Sequence, residues 1–358
     1  MSTSAATAIR VARPTITVEG QEQAKLAQGL LSMQIRETTA GLYRCEMVVG
    51  NWGALERGSG TGFLYFDRSL LDYGKGLKVS LSGKTIFDGR ISALEGRFPE
   101  GAQVEIGILA EDRFQELRMT RRTQTFENLT DASLFQSIAS AHGLTPSIDV
   151  QGPQHRVIAQ VNQSDLALLR DRARAIDAEV WMEGTTLHAQ ARGKRRGASV
   201  ALGYKHELHE VVVLADLAHQ RTALAVSGWD VSSKAAIRYE ATDSALGNEL
   251  GGKTSGSSLV QNAFGARKEA IVHTVPATSA EAQARAEGYF RTIARTFVNA
   301  RGVADTDAGL RVGAYVDLSG VGPLFEGTYY VTDVTHVFDA KGLRTEFAAE
   351  RPGLGAPS

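Results

Sequence analysis

Cysteine is almost missing from this sequence. Cys45 stands alone among 358 residues, which excludes an internal disulfide framework and a cysteine-rich zinc site, and leaves its thiol to be read as a small apolar side chain in a strand. An excess of charge of either sign is missing too: 39 Lys and Arg stand against 40 Asp and Glu, a formal charge of -1. No overall field draws the chain to nucleic acid or to an anionic surface, so neither sequence-specific nucleic-acid binding nor membrane binding by the chain itself is expected. No stretch approaches the ~20 apolar residues that span a bilayer, and the start "MSTSAATAIRVARP" lacks the apolar centre of a secretory signal. The expectation is a chain made in the bacterial cytoplasm. Proline is scarce, at 8 positions against 37 glycines, while hydrophobic residues make up 43%. That balance excludes a disordered chain and points to a globular one with many tight turns.

What is present is mostly strand. From Pro14 to about Arg113, "PTITVEG", "LLSMQIRET", "GLYRCEMVVG", "GFLYF", "LKVSL", "IFDGRISALEG" and "QVEIGILA" are short, alternating and separated by Gly, Asn or Asp turns. The texture changes near residue 120. "NLTDASLFQSIASAHGL" reads as a helix capped at Thr130 or Asp131 and stopped at Gly143, and "NQSDLALLRDRARAIDAEVWMEGTTLHAQ" as a second helix followed by a hairpin turning at Gly184. Strands resume with "HEVVVLADL", "TALAVSGWD", "AIRYEAT" and "EAIVHTV". The expected fold class is mainly β with an α+β insert: two similar β-barrel domains, 1–117 and 199–358, joined by a small α+β module, 118–198. Within the last domain a polar Gly/Ser-rich loop is expected at 241–267 and a helix at 279–301, closed by Gly302.

One hairpin occurs twice. "KGLKVSLSGKTIFDGRI" and "LRVGAYVDLSGVGPLFEGTYYV" set Gly76, Val79, Leu81, Ser82 and Gly83 against Gly313, Val316, Leu318, Ser319 and Gly320, then Phe87, Asp88 and Gly89 against Phe325, Glu326 and Gly327. A strand, a glycine turn (Gly342 in the second copy), another strand and an acidic-basic ending, "AEDR" or "AAER", follow both copies. Agreement over successive strands in one order implies duplication of a β-unit. Such a protomer can build a ring of three copies that presents six similar units, threefold to one partner and sixfold to another.

The run "GAYVDLSGVGPLFEGTYYVTDVTHVFDAKGLRTEF", with Gly313, Leu318, Gly320, Gly327, Tyr330, Val331, His336, Gly342, Thr345 and Glu346, resembles the phage late control gene D family, and the two helical segments are similar to that family and to the hub part of VgrG spike proteins. Leu343 and Arg344 depart from the family pattern, which leads one to expect an aromatic before the Thr-Glu pair. The resemblance implies tail-tube-like barrels and a baseplate hub: a homotrimer in a contractile tail or injection particle, with a trimeric spike protein, a hexameric tail tube or tube-initiator protein and baseplate wedge proteins as partners. It carries over no catalytic residue, cofactor or metal. The motif residues it singles out are Tyr330, His336, Thr345 and Glu346.

Other patterns point elsewhere. "GNELGGKT", residues 247–254, satisfies the P-loop spelling but lacks the expected flanking strand and helix. His206 and His209 in "HELHE" are three apart and lead into a strand, where positions three apart face opposite sides, and read as solvated strand-end residues. "RGKRR" (192–196) and "RMTRR" (118–122) read as solvated basic turns. The alternative function is a tail-associated enzyme, either a peptidoglycan hydrolase or a P-loop nucleotide hydrolase.

Overall fold

The computed structural model describes residues 13–55, 60–231, 233–272 and 274–356. Alternating runs of β-branched and aromatic side chains form the first group of strands: β1 (Thr15–Val18), β2 (Leu30–Thr38), β3 (Arg44–Gly50), β4 (Gly76–Leu81), β5 (Lys84–Arg97) and β6 (Glu105–Glu111). Next come β7 (Arg121–Thr130), α1 (Asp131–Ala141), β8 (Gln154–Ser164), α2 (Asp165–Ala175), β9 (Ala178–Glu183) and β10 (Thr186–Ala191). Then follow β11 (Ser199–Gly203), β12 (Leu208–Ala215), β13 (Ala223–Asp230), β14 (Ala235–Ala241), α3 (Gly256–Phe264), β15 (Lys268–Ile271), α4 (Ser279–Arg295), β16 (Val298–Asp305), β17 (Tyr315–Ser319), β18 (Gly327–Asp339) and β19 (Gly342–Arg351), besides shorter elements, of which the two-residue strand Gln21–Glu22 pairs with β1.

The first six strands hydrogen-bond in the order β2-β3-β6-β5-β4-β1, and the second set in the order β12-β16-β19-β18-β17-β11. One order serves both halves. The irregularities coincide as well. A bulge separates Leu30 from Ser32 on β2 and Leu208 from Glu210 on β12; another falls at Ser92 on β5 and at Thr332 on β18. At these last two positions the hydroxyls make the same bond, Ser92 to the carbonyl of Leu109 at 3.4 Å and Thr332 to that of Ala348 at 3.3 Å. Bulges are placed features of a sheet rather than accidents, so their recurrence marks a duplicated unit. The copies differ at one end: β1 runs antiparallel to β4, whereas β11 runs parallel to β17.

The bulges correct the residue matching drawn from the sequence. Counted from Ser92 and Thr332, Val79 corresponds to Leu318 and Phe87 to Gly327, because Val79 pairs with Phe87 and Leu318 with Gly327. Gly89 lies within β5 opposite Leu77, so it has no counterpart in Gly327. The first hairpin closes through Ser82 and Gly83, both at positive φ, while the second closes through the longer loop 319–326.

Each half curls around its own core. Ile16 of β1 and Ile35 of β2 sit at opposite ends of the strand order yet share one buried cluster with Cys45, Met47, Val79, Phe87 and Ile108. In the second half Leu208 of β12 and Val200 of β11, again at opposite ends, share a cluster with Ala300, Val316, Val331 and Phe347. The two halves then join edge to edge, since β18 beyond its bulge pairs antiparallel with β2, from Asp333 opposite Thr38 to Phe338 opposite Met33. The result is one 13-stranded sheet running through both.

Two α+β inserts pack on this frame. The first contains α1, capped by the Thr130 hydroxyl accepting from Ser133 N, and α2, capped by Ser164 accepting from Ala167 N. Its core includes Phe114, Phe135, Leu166, Leu169, Val180 and Leu187. The second replaces the tight connection that joins β2 to β3 in the first half, and centres on α4, whose Ala282, Ala286 and Phe290 bury against Leu224 and Val226 of β13. Two expectations change here. The helix ends at Arg295 rather than 301, because Val298, Ala300, Gly302 and Ala304 alternate inward as a strand; a Cβ on Gly302 would meet the Glu210 carbonyl oxygen at 2.7 Å. The stretch 241–267 is not a bare loop: it holds a short 3-10 segment over Asp243–Leu250 and then α3, capped by Ser255.

Candidate functional site at the joint of the two halves

The joint is polar where sheet cores are usually apolar. Glu37 on β2 is buried against β18, ion-paired with Arg311 and accepting from Val312 N at 3.2 Å. Burial raises its carboxyl above the ordinary range, and the Arg311 guanidinium works in the opposite direction. Beside it Arg195 is buried with its guanidinium 3.8 Å over the Trp181 ring, donating to Glu179 at 2.8 Å and to the Val312 carbonyl at 2.8 Å. Tyr330 donates its hydroxyl to the same Glu179 at 2.5 Å, and Arg192 stacks 4.4 Å over the Tyr330 ring while pairing with Glu350 at 2.6 Å. Burial disfavours the charge on Arg195, yet Tyr43, Tyr330 and Glu179 around it hold its pKa above the usual arginine value. One guanidinium therefore ties the first insert to the second half and reaches towards Tyr43 of the first.

"RGKRR" is thus no solvated turn, because the aromatic and acidic partners that bury Arg192 and Arg195 lie far off in the chain. In "RMTRR", Arg118 is held by Glu111 at 2.7 Å and Arg121 by the Asn162 carbonyl across the β7–β8 pair at 3.2 Å. Gly313, at φ +89°, opens space for the guanidinium: a Cβ there would fall 2.2 Å from Arg195 Nε. Gly83, Gly320, Gly327 and Gly342 also have positive φ, whereas Gly76 opens β4 and Gly89 leaves room for the Glu111 carbonyl oxygen, which a Cβ at that position would approach to 2.3 Å.

His336 and Thr345 meet inside the sheet. The Thr345 hydroxyl donates to Thr306 at 3.2 Å and accepts from His336 Nδ1 at 2.8 Å. Burial, with Arg311 nearby, pushes the imidazole down to about 3, so it is neutral. Leu343 packs against the first core and Arg344 pairs with Asp339 at 2.9 Å. Glu346 alternates to the opposite, exposed face.

That face, away from both cores, is indented by clefts of about 570 and 450 Å³. Five arginines (36, 44, 97, 301, 344) and six carboxylates (Glu46, Glu95, Glu210, Asp333, Asp339, Glu346) line them. Several are paired: Arg36 with Asp333 at 2.9 Å, Arg44 with Glu46 at 2.8 Å and Arg97 with Glu95 at 2.8 Å. The wall is charged yet nearly balanced, with neither the basic excess that grips a phosphate backbone nor a broad apolar surface.

Elsewhere, the P-loop-like stretch follows β14, whose partner β13 is antiparallel, and Lys253 has its charge disfavoured by burial and by Arg351. His209 pairs with Asp305 at 2.8 Å on an exposed strand end, and His206 is exposed beside it. Among the described residues no group of three or more His, Cys, Asp or Glu is placed to hold a metal, and no helix is long and apolar enough to cross a membrane.

Solved structures share this fold along nearly the whole chain. The 43 kDa tail protein of prophage MuSo2 from Shewanella oneidensis superposes with a TM-score of 0.70 at 13% identity, covering 95% of this chain and 98% of that one. A tail protein from Neisseria meningitidis MC58 gives 0.67 at 12% identity, with 96% and 97% covered. The Escherichia coli c3393 protein, described as a type VI secretion component with structural similarity to T4 tail proteins gp27 and gp5, gives 0.59 at 12% identity, with 96% and 79% covered. No curated protein matches the sequence. The family model described as the Alg8 N-terminal domain matches residues 10–339, and by that match the chain belongs to the Alg8 N-terminal domain family.

Proposed function

We propose that the chain is the structural hub of a contractile tail or tail-like injection particle, acting as a homotrimer whose six β-units continue a hexameric tube and whose far side receives a trimeric spike. The observation that carries this reading is the duplicated unit, with one strand order and the same two bulges, joined edge to edge into a continuous sheet. Two equivalent units in one chain turn a threefold ring into one with near-sixfold repetition. The charge-balanced face suits the wall of a bore through which a polymer passes without being held. Fold likeness to tail proteins and to a type VI secretion component agrees with that role, as does the resemblance of 313–347 to the late control gene D family. On this reading the two halves and the first insert correspond to the domains 1–117, 199–358 and 118–198.

Native mass measurement of the purified chain, alone and with its spike, combined with averaged particle images tests it. A three-copy ring with a near-sixfold rim is expected. A chain that stays monomeric alone and with the spike overturns the reading.

A further inference from the structure

The joint inside one chain has a counterpart that no strand among the described residues fills. β18 carries two neighbours on one edge: β17 up to Tyr330 and β2 beyond the bulge at Thr332. Its equivalent, β5, pairs with β4 on that edge up to Arg90, and from its bulge at Ser92 onward the edge has no strand beside it among the described residues. The equivalent of β2 is β12, which pairs with β16 on one side and ends the strand order on the other. Among the described residues, then, one chain has one vacant acceptor edge and one vacant donor edge, each the structural twin of a strand that is joined internally.

We propose that β12 of one copy pairs antiparallel with the distal part of β5 in the next, repeating between copies the β2–β18 joint within each. The register follows from the bulges. Inside the chain His336 faces Ile35, Thr335 faces Arg36 and Phe338 faces Met33. The bulge on β5 makes Gly96, Glu95 and Phe98 the equivalents of His336, Thr335 and Phe338. The bulge on β12 makes Val213, Leu214 and Val211 the equivalents of Ile35, Arg36 and Met33. Between copies, then, Gly96 faces Val213, Glu95 faces Leu214 and Phe98 faces Val211.

Burial supports the assignment independently. Phe338 is 6% exposed and belongs to the first core, which it enters across the joint, whereas its twin Phe98 is 66% exposed. Phe98 stands in a group of partly uncovered rings, 5.9 Å from Phe66 and 6.3 Å from Phe63. On β12, Val212 is 63% and Leu214 57% exposed. Exposed apolar side chains on two unpaired edges suit a strand-pairing surface, and on the β5 edge the charges of Glu95 and Arg97 are paired with each other at 2.8 Å, with Pro99 just beyond Phe98. Since donor and acceptor edges differ, the contact is head to tail and must close into a ring. That the ring holds three copies rests on the hub reading above.

The test joins Glu95→Cys with Leu214→Cys, two side chains on one face and directly opposite in this register. Mild oxidation should link copies into a covalent closed ring on a non-reducing gel, while neither single variant links. Glu95→Cys with Val213→Cys, whose side chains point to opposite faces, should give little product. Phe98→Asp, a change at an exposed position of the single chain, should keep the far-UV spectrum and yield monomers by native mass measurement. If the wild type forms its ring but the 95/214 pair links no better than the 95/213 pair, or Phe98→Asp still assembles, this strand pairing is wrong and the hub reading stands. If the wild type never associates, with or without a spike, the hub reading fails and this inference with it.

Discussion

At the scale of the residue, Arg195 shows how much depends on partners that sequence neighbours do not reveal. Replacing it with Leu takes the nearest cation from the buried Glu179 carboxylate and leaves it the Tyr330 hydroxyl and Arg192 at 3.7 Å, a loss of about 3 kcal/mol. Urea unfolding of Arg195→Leu should read that drop, and pairing it with Glu179→Gln should recover part of it. Gly313→Ala places a methyl group on the guanidinium and forces an L residue to φ +89°, so it should lower stability by more than the ~1 kcal/mol of an ordinary glycine replacement. His336 gives a pH signature with a definite sign. Its native value is about 3 against 6.5 in the unfolded chain, so the unfolded state gains the proton first as pH falls. Stability from this group is complete above about pH 6.5 and is lost towards pH 3, roughly 2 kcal/mol by pH 5. His336→Asn should show a shallower acid limb than the wild type in stability measured against pH; parallel limbs would contradict the buried neutral imidazole.

At the scale of the element, most helices and strands were legible because periodicity and caps are local. Of the two caps expected for the first helix, Thr130 rather than Asp131 serves, and Ser164 and Thr278 cap the later helices; the alternation in "HEVVVLADL" gives β12. The doubled hairpin was legible as a doubling but misread in register. Sliding a strand by two residues keeps every side chain on the same face, so a pattern of alternation cannot distinguish Val79 matched to Val316 from Val79 matched to Leu318. Only the bulges, which break the alternation, fix the match. The joint site was less legible still. Tyr330 and His336 stand out in the sequence, but Glu37, Glu179 and Arg195 do not, because buried contacts between residues far apart in the chain leave no local pattern. The bulge hydroxyls are testable at this scale: Ser92→Ala and Thr332→Ala should each lower stability by about 0.5–1.5 kcal/mol, and by similar amounts in denaturant titrations if the two sites are equivalent.

At the scale of the whole molecule, a sheet that runs unbroken from one half into the other predicts cooperative behaviour. Calorimetry should record one unfolding transition for the chain, since separating the halves uncovers Glu37 and the β2 edge together; two well-resolved transitions would contradict a joint of this strength. Residues 1–198 produced alone leave that edge open, and size-exclusion chromatography should find them associated rather than monomeric.

One small difference between the copies then acquires a meaning. The sixth strand of each unit runs antiparallel to its neighbour in the first half, as β1, and parallel in the second, as β11. In a ring of such chains every other rim position would present its backbone groups in reversed sense. A sixfold partner can dock on the strands that all positions share, while a threefold one can use the alternation as an index mark, settling at one of three angular settings and never at the three between.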